Sequence, residues 1–448
     1  MVSIDRRSFL VGAGLGLAGA LASGRAAAAQ PQTDTEGDEW SAVRAQFDLT
    51  PGVVHLSCFF LASHPRPVRD AIERYRQMLD ADPLQTVERA AFGPPEENFG
   101  LRVKRAAAAY LGGAPEEIAL TQSTTMGLAL IYAGLPLRSG QEILTTVHDH
   151  YSHHESIRLA AERSGATVRR IALFDSFEAL PNVTEDAIVE RVRRAIRAET
   201  RVVGLTWVHS QSGLKLPLRA IAAALREVNS ARAEKDRVLF VVDGVHGLGC
   251  EDETIAETGC DAFAAGTHKW MFGPRGTGLI WARERVWAAM RPTIPTFDDF
   301  DLFEDWQQER KPIGPASASW FTPGGFHAFE HEWAVEAAFE FHRSLGRIRI
   351  AERTHALNGR LKDGLAAMKH VKLYTPRSDT LSAGLVGFDV AGLAPKDAVS
   401  RLLSERILAT ESPYGRPLVR LSANIVNTPQ EIDLALAAVD RLAAPRRG

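Results

Sequence analysis

The chain has 448 residues, of which 45% are hydrophobic and 24% charged, as expected for a globular protein of more than one domain. Its formal net charge of -3 excludes the strongly basic surface of a nucleic-acid-binding protein, so we expect no nucleic-acid partner. The three cysteines, Cys58, Cys250 and Cys260, are too few for a disulfide framework and show no zinc-ligand spacing. A bridge between Cys250 and Cys260 stays an open alternative.

The N-terminus has the pattern of an export signal. Arg6 and Arg7 precede a short run rich in Gly, Ala and Leu, and Ala26–Ala29 offers cleavage sites between small residues. The arginine pair is typical of the twin-arginine route, although Asp5 stands where Ser or Thr is more usual. We therefore expect residues 1–29 to be a signal peptide, the twin-arginine export machinery to be a partner, and the mature protein to be periplasmic. A chance arginine pair is the alternative.

Residues 30–64 are predicted to form an N-terminal arm and part of a smaller domain. From residue 65 to residue 312, helix-like and strand-like patterns alternate, which predicts a large α/β domain with a mainly parallel sheet covered by helices on both faces. The predicted strands are 117–120, 142–146, 167–172, 201–207, 238–242, 261–265 and 278–281. The predicted helices are 68–79, 101–111, 124–135, 154–163, 185–198 and 218–233. No run after the signal is long and uncharged enough to cross a membrane.

The stretch from residue 292 to residue 323 carries acidic and aromatic side chains without a clear period. It is either a solvated loop held by its aromatic residues or a lid over a substrate entrance. The remaining residues, 313–448, are predicted to form a smaller α+β domain. Its helices are predicted at 328–345, 396–405 and 429–442, and its strands at 385–389 and 418–422.

Polar residues follow or end several of the predicted parallel strands. In open α/β sheets, ligands bind outside the carboxyl ends of the strands. Five residues are therefore expected to meet at that edge of the sheet: Ser123, His148, Ser210, Asp243 and Lys269.

Ser123, Thr124 and Thr125 lie where a predicted strand passes into a helix. Hydroxyl groups, unpaired backbone N–H groups and the helix dipole would suit a phosphate at this position. Ser and Thr are also common N-caps in the absence of any ligand. The sequence alone therefore makes this segment a candidate phosphate site and no more.

His148 follows the next strand, and its imidazole could stack on an aromatic cofactor. His150, His153 and His154 lie close by in the sequence, so the choice among these histidines stays open. A metal site is a competing interpretation, but the spacing of the histidines matches no common ligand pattern. We expect no metal.

Asp243 ends the very apolar strand at 238–242, where a carboxylate needs a partner. A protonated pyridine nitrogen would be such a partner, and capping of the turn at Gly244 is the alternative. Lys269 lies in the Gly/Thr/His-rich segment 266–270, between two strand-like runs. A lysine that forms a Schiff base and an aspartate that holds a ring nitrogen are what pyridoxal phosphate chemistry requires.

These segments occur in an order that resembles the class V aminotransferase superfamily of fold-type I pyridoxal-phosphate enzymes. The resemblance covers nearly all of the chain after residue 29, and residues 208–213 and 268–274 are most similar to the isopenicillin N epimerase-like branch. It implies an α/β fold with a mainly parallel seven-stranded sheet in the large domain and a smaller α+β domain. The implied cofactor is pyridoxal 5'-phosphate. The motifs that carry the resemblance are Ser123-Thr124-Thr125, His148, Asp243 to His246, Thr267-His268-Lys269 and Arg420-Leu421-Ser422.

The resemblance also implies a role for each residue around the cofactor ring. Lys269 would carry the cofactor through its amine and afterwards move the α-proton of the substrate. Asp243 would bind the pyridine nitrogen, and His246 would lie beside the phenolic oxygen. His148 would stack on the ring.

Further residues are implied for the phosphate and the substrate. Thr124, Thr125 and His268 would hold the phosphate. Thr322 would reach the phosphate of a neighbouring subunit, which implies a homodimer. Arg420 would bind the carboxylate of an amino-acid or peptidyl substrate through a bidentate pair.

The sequence departs from the cysteine desulfurases of this superfamily in the loop before Arg420. That loop carries a catalytic cysteine in desulfurases, whereas residues 408–414 contain none. Ser123 stands where glycine is frequent and Ser210 where desulfurases often have asparagine, although both are still expected to contact the cofactor.

We therefore expect an exported enzyme that acts at the α-carbon or amino group of an amino acid or a peptide-linked amino acid. Its signal and the segment 268–274 resemble the exported enzymes that tailor pyoverdine siderophores, which implies transamination-type chemistry on a side group. An epimerase or a C–S/β-lyase is the first alternative. A non-catalytic binding protein with this fold is the second. A dinucleotide-dependent oxidoreductase is a weaker alternative, because no G-x-G-x-x-G segment opens a helix after an early strand.

Overall fold

The computed structural model describes residues 39–443. The signal predicted at residues 1–29 lies outside the described residues. Residues 40–443 belong to one compact unit, and the domain boundary predicted near residue 312 stays a prediction. Within residues 39–443, no helix combines the length and the apolar character that a membrane crossing requires.

The described residues contain short strands and mostly longer helices. The strands are β1 Val54–His55, β2 Ile118–Thr121, β3 Glu142–Thr146, β4 Thr167–Ile171, β5 Thr200–Thr206, β6 Leu239–Asp243, β7 Ala262–Gly266, β8 Gly278–Ala282, β9 Val371–Leu373, β10 Val386–Val390, β11 Ile407–Leu408, β12 Thr410–Glu411 and β13 Val419–Leu421.

The helices alternate with the strands in the first two thirds of the chain. They are α1 Glu39–Arg44, α2 Arg66–Ala81, α3 Pro83–Ala90, α4 Phe99–Leu111, α5 Thr124–Gly134, α6 Tyr151–Ser164, α7 Glu185–Ala195, α8 Leu218–Ser230, α9 Ile255–Thr258, α10 Glu284–Ala289, α11 Phe300–Gln307, α12 Phe329–Trp333, α13 Val335–Leu345, α14 Arg347–Ala367, α15 Pro395–Ser404 and α16 Pro429–Arg441.

The larger sheet has seven strands in the order β2-β8-β7-β6-β5-β3-β4. Neighbouring strands from β7 through β4 pair in parallel, whereas β8 pairs antiparallel with both β7 and β2. Six of the seven strands therefore run in one direction, and their carboxyl ends meet at one edge. The predicted mainly parallel, seven-stranded α/β architecture is confirmed.

Strand β6 shows why this sheet is stable. All five of its residues are buried, as expected for a parallel strand with helices on both faces. Phe240 and Val242 pack in one apolar cluster, whereas Leu239 and Val241 pack in another. Because side chains alternate along a strand, these two clusters lie on opposite faces of the sheet. The last residue of the strand, Asp243, ends at the carboxyl edge.

A second sheet is formed by β12, β13, β10 and β9, all in antiparallel pairs. Helices α14, α15 and α16 contribute apolar side chains to the core of this sheet. Strand β1 from the N-terminal arm pairs in parallel with β11, with Val54 opposite Ile407. Strand β13 carries Arg420, so this sheet positions the predicted carboxylate-binding residue.

The structure corrects two parts of the predicted element order. The single helix expected at 328–345 is divided at Ala334 into α12 and α13. The stretch 292–323 contains the helix α11, whose N-cap Asp299 accepts a hydrogen bond from the backbone N–H of Leu302.

Gly204 in β5 allows close packing beneath the sheet, which gives a stability prediction. A Cβ at this position would lie 2.0 Å from Oη of Tyr132, which forms a buried 2.7 Å hydrogen bond to Nε2 of His153. Gly204→Ala should therefore lower the free energy of unfolding by about 2 kcal/mol, measured by urea denaturation. Gly359→Ala in α14 is the matched control, because a Cβ there meets no atom within 4 Å. Equal stabilities of the two variants would contradict this packing.

Candidate active site

A cavity of about 260 Å3 lies where the carboxyl ends of the parallel strands face Arg420 of the smaller sheet. Its lining also includes Phe59, Phe60 and Pro413. Among the residues 39–443 that line it, Asp243 is the only acidic one. Nine of the predicted site residues lie in this lining: Ser123, Thr124, Thr125, Ser210, Asp243, His246, His268, Lys269 and Arg420.

One end of the cavity is built by the N-terminus of α5. Oγ of the N-cap Ser123 accepts a hydrogen bond from the backbone N–H of Met126 at 3.2 Å. Oγ1 of Thr124 accepts one from the N–H of Gly266 at 2.7 Å, which ties α5 to the end of β7. Hydroxyls at a helix N-terminus form a cradle that suits a phosphate.

His268 packs against the same end. Its Nδ1 donates to the carbonyl oxygen of Thr277 at 3.1 Å, so Nε2 of the neutral ring is an acceptor. A Cβ on Gly266 would lie 2.7 Å from Cε1 of this imidazole, so only glycine allows the approach. Burial lowers the pKa of His268, which favours the neutral ring.

Asp243 lines the cavity and is only 2% exposed. Oδ1 accepts a hydrogen bond from the backbone N–H of Val245 at 3.2 Å. Burial raises the pKa of Asp243 to about 6, while that hydrogen bond and Lys269 oppose the rise. A cationic N–H donor in the cavity would restore the carboxylate, and a protonated pyridine nitrogen has this chemistry.

Lys269 follows β7, and its Nζ lies 3.5 Å from Nε2 of His246. Burial lowers the pKa of Lys269 to about 8, with Asp243 raising it and Arg420 lowering it further. With this pKa, about a tenth of the amine is neutral at pH 7, and the neutral amine is the form that attacks an aldehyde.

Arg420 is 4% exposed and lies over the ring of Phe59, with 4.9 Å between Cζ and the ring centroid. Its guanidinium donates to the carbonyl oxygens of Ser210 and Glu411 and to Oγ1 of Thr410, at 2.7 to 3.0 Å. Among the described residues it forms no ion pair with a carboxylate. Burial lowers its pKa to about 10, so an anion in the cavity would stabilise the charged form.

Tyr414 is a site residue that the sequence reasoning missed. Its Oη lies 2.6 Å from Oγ of Ser210, and burial raises its pKa to about 12, so the phenol is neutral. In the sequence, the loop at 408–414 stands out only for its lack of cysteine. The nearness of Tyr414 to Arg420 in the sequence was the one available signal.

The structure corrects the assignment of the stacking residue. The ring of His148 stacks on Phe174 with 4.0 Å between centroids and 16° between planes, and Nε2 accepts from the N–H of Leu173 at 3.2 Å. His148 is therefore directed away from the cavity, whereas His150 lines it. The ring of His150 lies edge-on to the ring of Tyr414, with 6.3 Å between the two centroids.

Asp149 explains why His150 and not His148 faces the cavity. Its buried carboxylate accepts hydrogen bonds from Oγ1 of Thr145 and from both N and Oγ1 of Thr146, at 2.6 to 2.9 Å. It also accepts from the N–H of Thr206 in β5 at 2.7 Å. Although burial opposes ionisation, nearby histidines and these hydrogen bonds hold the pKa of Asp149 well below its usual range. The turn between β3 and α6 is thus fixed by a long-range network.

Thr322 does not line the main cavity. It faces a separate cavity of about 50 Å3, together with Phe297, Gly324 and Gly325. Its Oγ1 accepts a hydrogen bond from the backbone N–H of Leu120 at 3.2 Å. Its expected contact with the phosphate of a neighbouring subunit stays a prediction.

The cysteines contribute nothing to the cavity. Cys58, Cys250 and Cys260 are buried free thiols, and burial raises the pKa of all three. The alternative of a bridge between Cys250 and Cys260 is therefore wrong. Between residues 39 and 443, no group of three or more His, Cys, Asp or Glu side chains is arranged to hold a metal ion.

The model of the aminotransferase class-V family matches residues 62–434, and the chain therefore belongs to this family. It is similar to an isopenicillin N epimerase from Amycolatopsis lactamdurans, with 27% identity over 90% of this chain and 98% of the relative. It is 25% identical to a probable cysteine desulfurase from Halalkalibacterium halodurans, over 73% of this chain and 77% of the relative.

Solved structures show the same fold. The apo structure of a cysteine desulfurase from Thermococcus onnurineus superposes with a TM-score of 0.75 at 20% identity, over 90% of this chain and 97% of that one. The expected class V fold-type I enzyme and its pyridoxal phosphate cofactor are confirmed. The hydroxyl cradle, the buried carboxylate and the buried lysine fit the phosphate, ring nitrogen and aldehyde of this cofactor. When bound, the cofactor supplies an electron sink for bonds broken at the α-carbon of an amino acid.

The histidine correction can be tested by two single substitutions. His150→Ala should weaken cofactor binding about tenfold and change the visible absorbance of the holoenzyme, because a ring contact is lost. His148→Ala should lower the melting temperature through its lost stacking on Phe174 and leave cofactor affinity unchanged. Titration of each apoprotein with pyridoxal phosphate measures both effects. A larger loss of affinity in the His148 variant would contradict the assignment.

Proposed function

We propose that this protein acts on the free α-amino and α-carboxyl groups of an amino acid or of a peptide-linked amino acid. The observation that carries the proposal is Arg420, a buried guanidinium without an ion-pair partner among the described residues, in the same cavity as Lys269. Three of its five N–H groups are used by protein oxygens, so two are left for a bidentate carboxylate.

The other residues then take separate roles. Lys269 would attach the cofactor through its amine and carry the α-proton of the substrate. Asp243 would hold the protonated ring nitrogen, and His246 would donate a hydrogen bond beside that amine. His150 would cover the ring, the role that the family resemblance implies for His148.

At the phosphate end, the helix dipole of α5 adds to three side chains. Thr124 and Thr125 would donate their hydroxyls to the phosphate. The charge of the phosphate would raise the pKa of His268 and bring a proton to its Nε2, which would then donate as well. Ser123 caps the helix and fixes the direction of its first N–H groups. Ser210 also lines the cavity, and its hydroxyl, 2.6 Å from Oη of Tyr414, would contact the cofactor.

We further propose a homodimer in which Thr322 contributes to the neighbouring site. What supports this is the class V family membership together with the position of Thr322 outside its own cavity. The exposed aromatic residues Phe300 and Trp306 lie on α11, in the chain segment just before Thr322.

The reaction that we favour is transamination-type tailoring of a siderophore side group outside the cytoplasm. The lack of a cysteine in the loop before Arg420 disfavours sulfur removal by a thiol nucleophile. The signal pattern at residues 1–29 supports export of a protein that folds around its cofactor in the cytoplasm.

Epimerisation is the second candidate. Its support is the similarity to isopenicillin N epimerase over nearly the full length of both chains. In this reaction the α-proton is removed and returned on the opposite face. Lys269 and a second proton carrier are then required, and His150 is the histidine in a suitable place.

Product analysis tests these reactions. The holoenzyme should convert a peptide-linked glutamate with free amino and carboxyl groups to a product of new mass, and Lys269→Ala should abolish the conversion. Arg420→Gln should raise KM at least tenfold, because a charge-assisted pair is lost. A product whose mass is unchanged in H2O but which gains deuterium at the α-carbon in D2O would replace tailoring by epimerisation. Absence of both changes with every amino acid and peptide offered would refute the proposal.

Export can be tested separately. Replacing Arg6 and Arg7 together by lysine should retain the protein in the cytoplasm, because the twin-arginine route reads the guanidinium pair. Cell fractionation and immunoblotting measure the distribution. Replacing Arg25 by lysine is the matched control and should leave export unchanged. A periplasmic double variant would contradict this route.

A further inference from the structure

Trp270 follows Lys269 directly and has none of the roles described above. The indole is 3% exposed, and its Nε1 lies 3.3 Å from Nδ1 of His246. An indole N–H can only donate, so Nδ1 of the imidazole must accept. A neutral histidine that accepts at Nδ1 carries its proton on Nε2. The contact with Trp270 therefore selects one of the two tautomers of His246.

The other nitrogen of the same ring faces the lysine. Nε2 of His246 lies 3.5 Å from Nζ of Lys269. Burial lowers the pKa of His246 well below its ordinary value, and Lys269, Arg420 and His150 lower it further, so the ring is neutral. An Nε2–H group can donate only to the neutral amine, because an ammonium group has no lone pair.

We propose that Trp270 is a positioning residue that holds His246 in its Nε2–H form, so that the histidine donates to the amine of Lys269 and favours the form that attaches the cofactor. This inference rests on the proposed function only in taking Lys269 as the attaching amine. The remaining charged groups near Lys269 are Asp243, which favours the ammonium form, and Arg420, which disfavours it.

The surrounding chain leaves the indole little room to turn. A Cβ on Gly384 would lie 2.2 Å from Cη2 of Trp270, so the backbone before β10 closes against the ring. Gly249 has φ +82°, and a Cβ there would lie 2.9 Å from the backbone carbonyl carbon of Trp270. One glycine thus permits the close packing of the indole, and the other permits the close packing of its backbone. The donor is therefore held at a fixed place.

The test is the rate at which the apoenzyme takes up pyridoxal phosphate as a function of pH, followed by visible absorbance. The attacking amine must be neutral, so the rate reports the protonation of Lys269. Trp270→Phe should load the cofactor about tenfold more slowly near neutral pH and reach the wild-type rate at higher pH, because one hydrogen bond that fixes the tautomer is lost. Placing benzothienylalanine at position 270 keeps the ring shape, removes the N–H and should give the same shift.

Two comparisons separate this role from a structural one. Trp287 is an equally buried tryptophan whose Nε1 donates to the carbonyl oxygen of Glu117, and Trp287→Phe should leave the pH profile unchanged. In a His246→Gln background, where no tautomer can be selected, Trp270→Phe should add no further shift. An unchanged profile with benzothienylalanine at position 270, or a full shift in the His246→Gln background, would overturn the inference. Uptake that persists in Lys269→Ala would instead overturn the proposed attachment at Lys269.

Discussion

The site depends on an imbalance of buried charge. Lys269 and Arg420 lie in one cavity whose lining, among residues 39–443, contains Asp243 as its only acidic residue. Burial of an ionisable group favours its neutral form, and the pKa of each of these three groups moves in that direction. The cavity therefore favours anionic ligands, and a phosphate and a carboxylate are the two anions that the cofactor and an amino-acid substrate bring.

The fold maintains this imbalance because the charged residues of the cavity belong to separate elements. Asp243 is fixed by a strand that is buried on both faces, whereas Arg420 arrives from the second sheet and is held by three protein oxygens. Asp243, Lys269 and Arg420 come from three separate parts of the chain, so their charges cannot pair by a local rearrangement. Preorganisation of this kind is what makes buried polar groups effective in catalysis.

Local pattern predicted part of the cavity lining, whereas His246, His268 and Arg420 were implied only by the family resemblance. Apolar runs ending in polar residues identified Asp243 and Lys269, because the carboxyl ends of parallel strands must meet. The choice between His148 and His150 could not be predicted in the same way. It depends on Asp149, whose carboxylate binds the backbone N–H of Thr206 on a strand that follows far along the chain. Sequence spacing carries no information about such a contact.

The contact of Tyr414 with Ser210 also joins residues that lie far apart in the sequence. It determines which side chain the loop before Arg420 brings to the site. Where a cysteine nucleophile would be expected in a desulfurase, this loop places a neutral phenol with its hydroxyl 2.6 Å from that of Ser210. A phenol whose pKa is raised by burial is a poor nucleophile, but it can donate or accept a hydrogen bond without changing charge. Because residues 408–414 contain no cysteine, sulfur attack by a thiol is disfavoured, and we propose that proton transfer falls to Lys269 and the histidines around it.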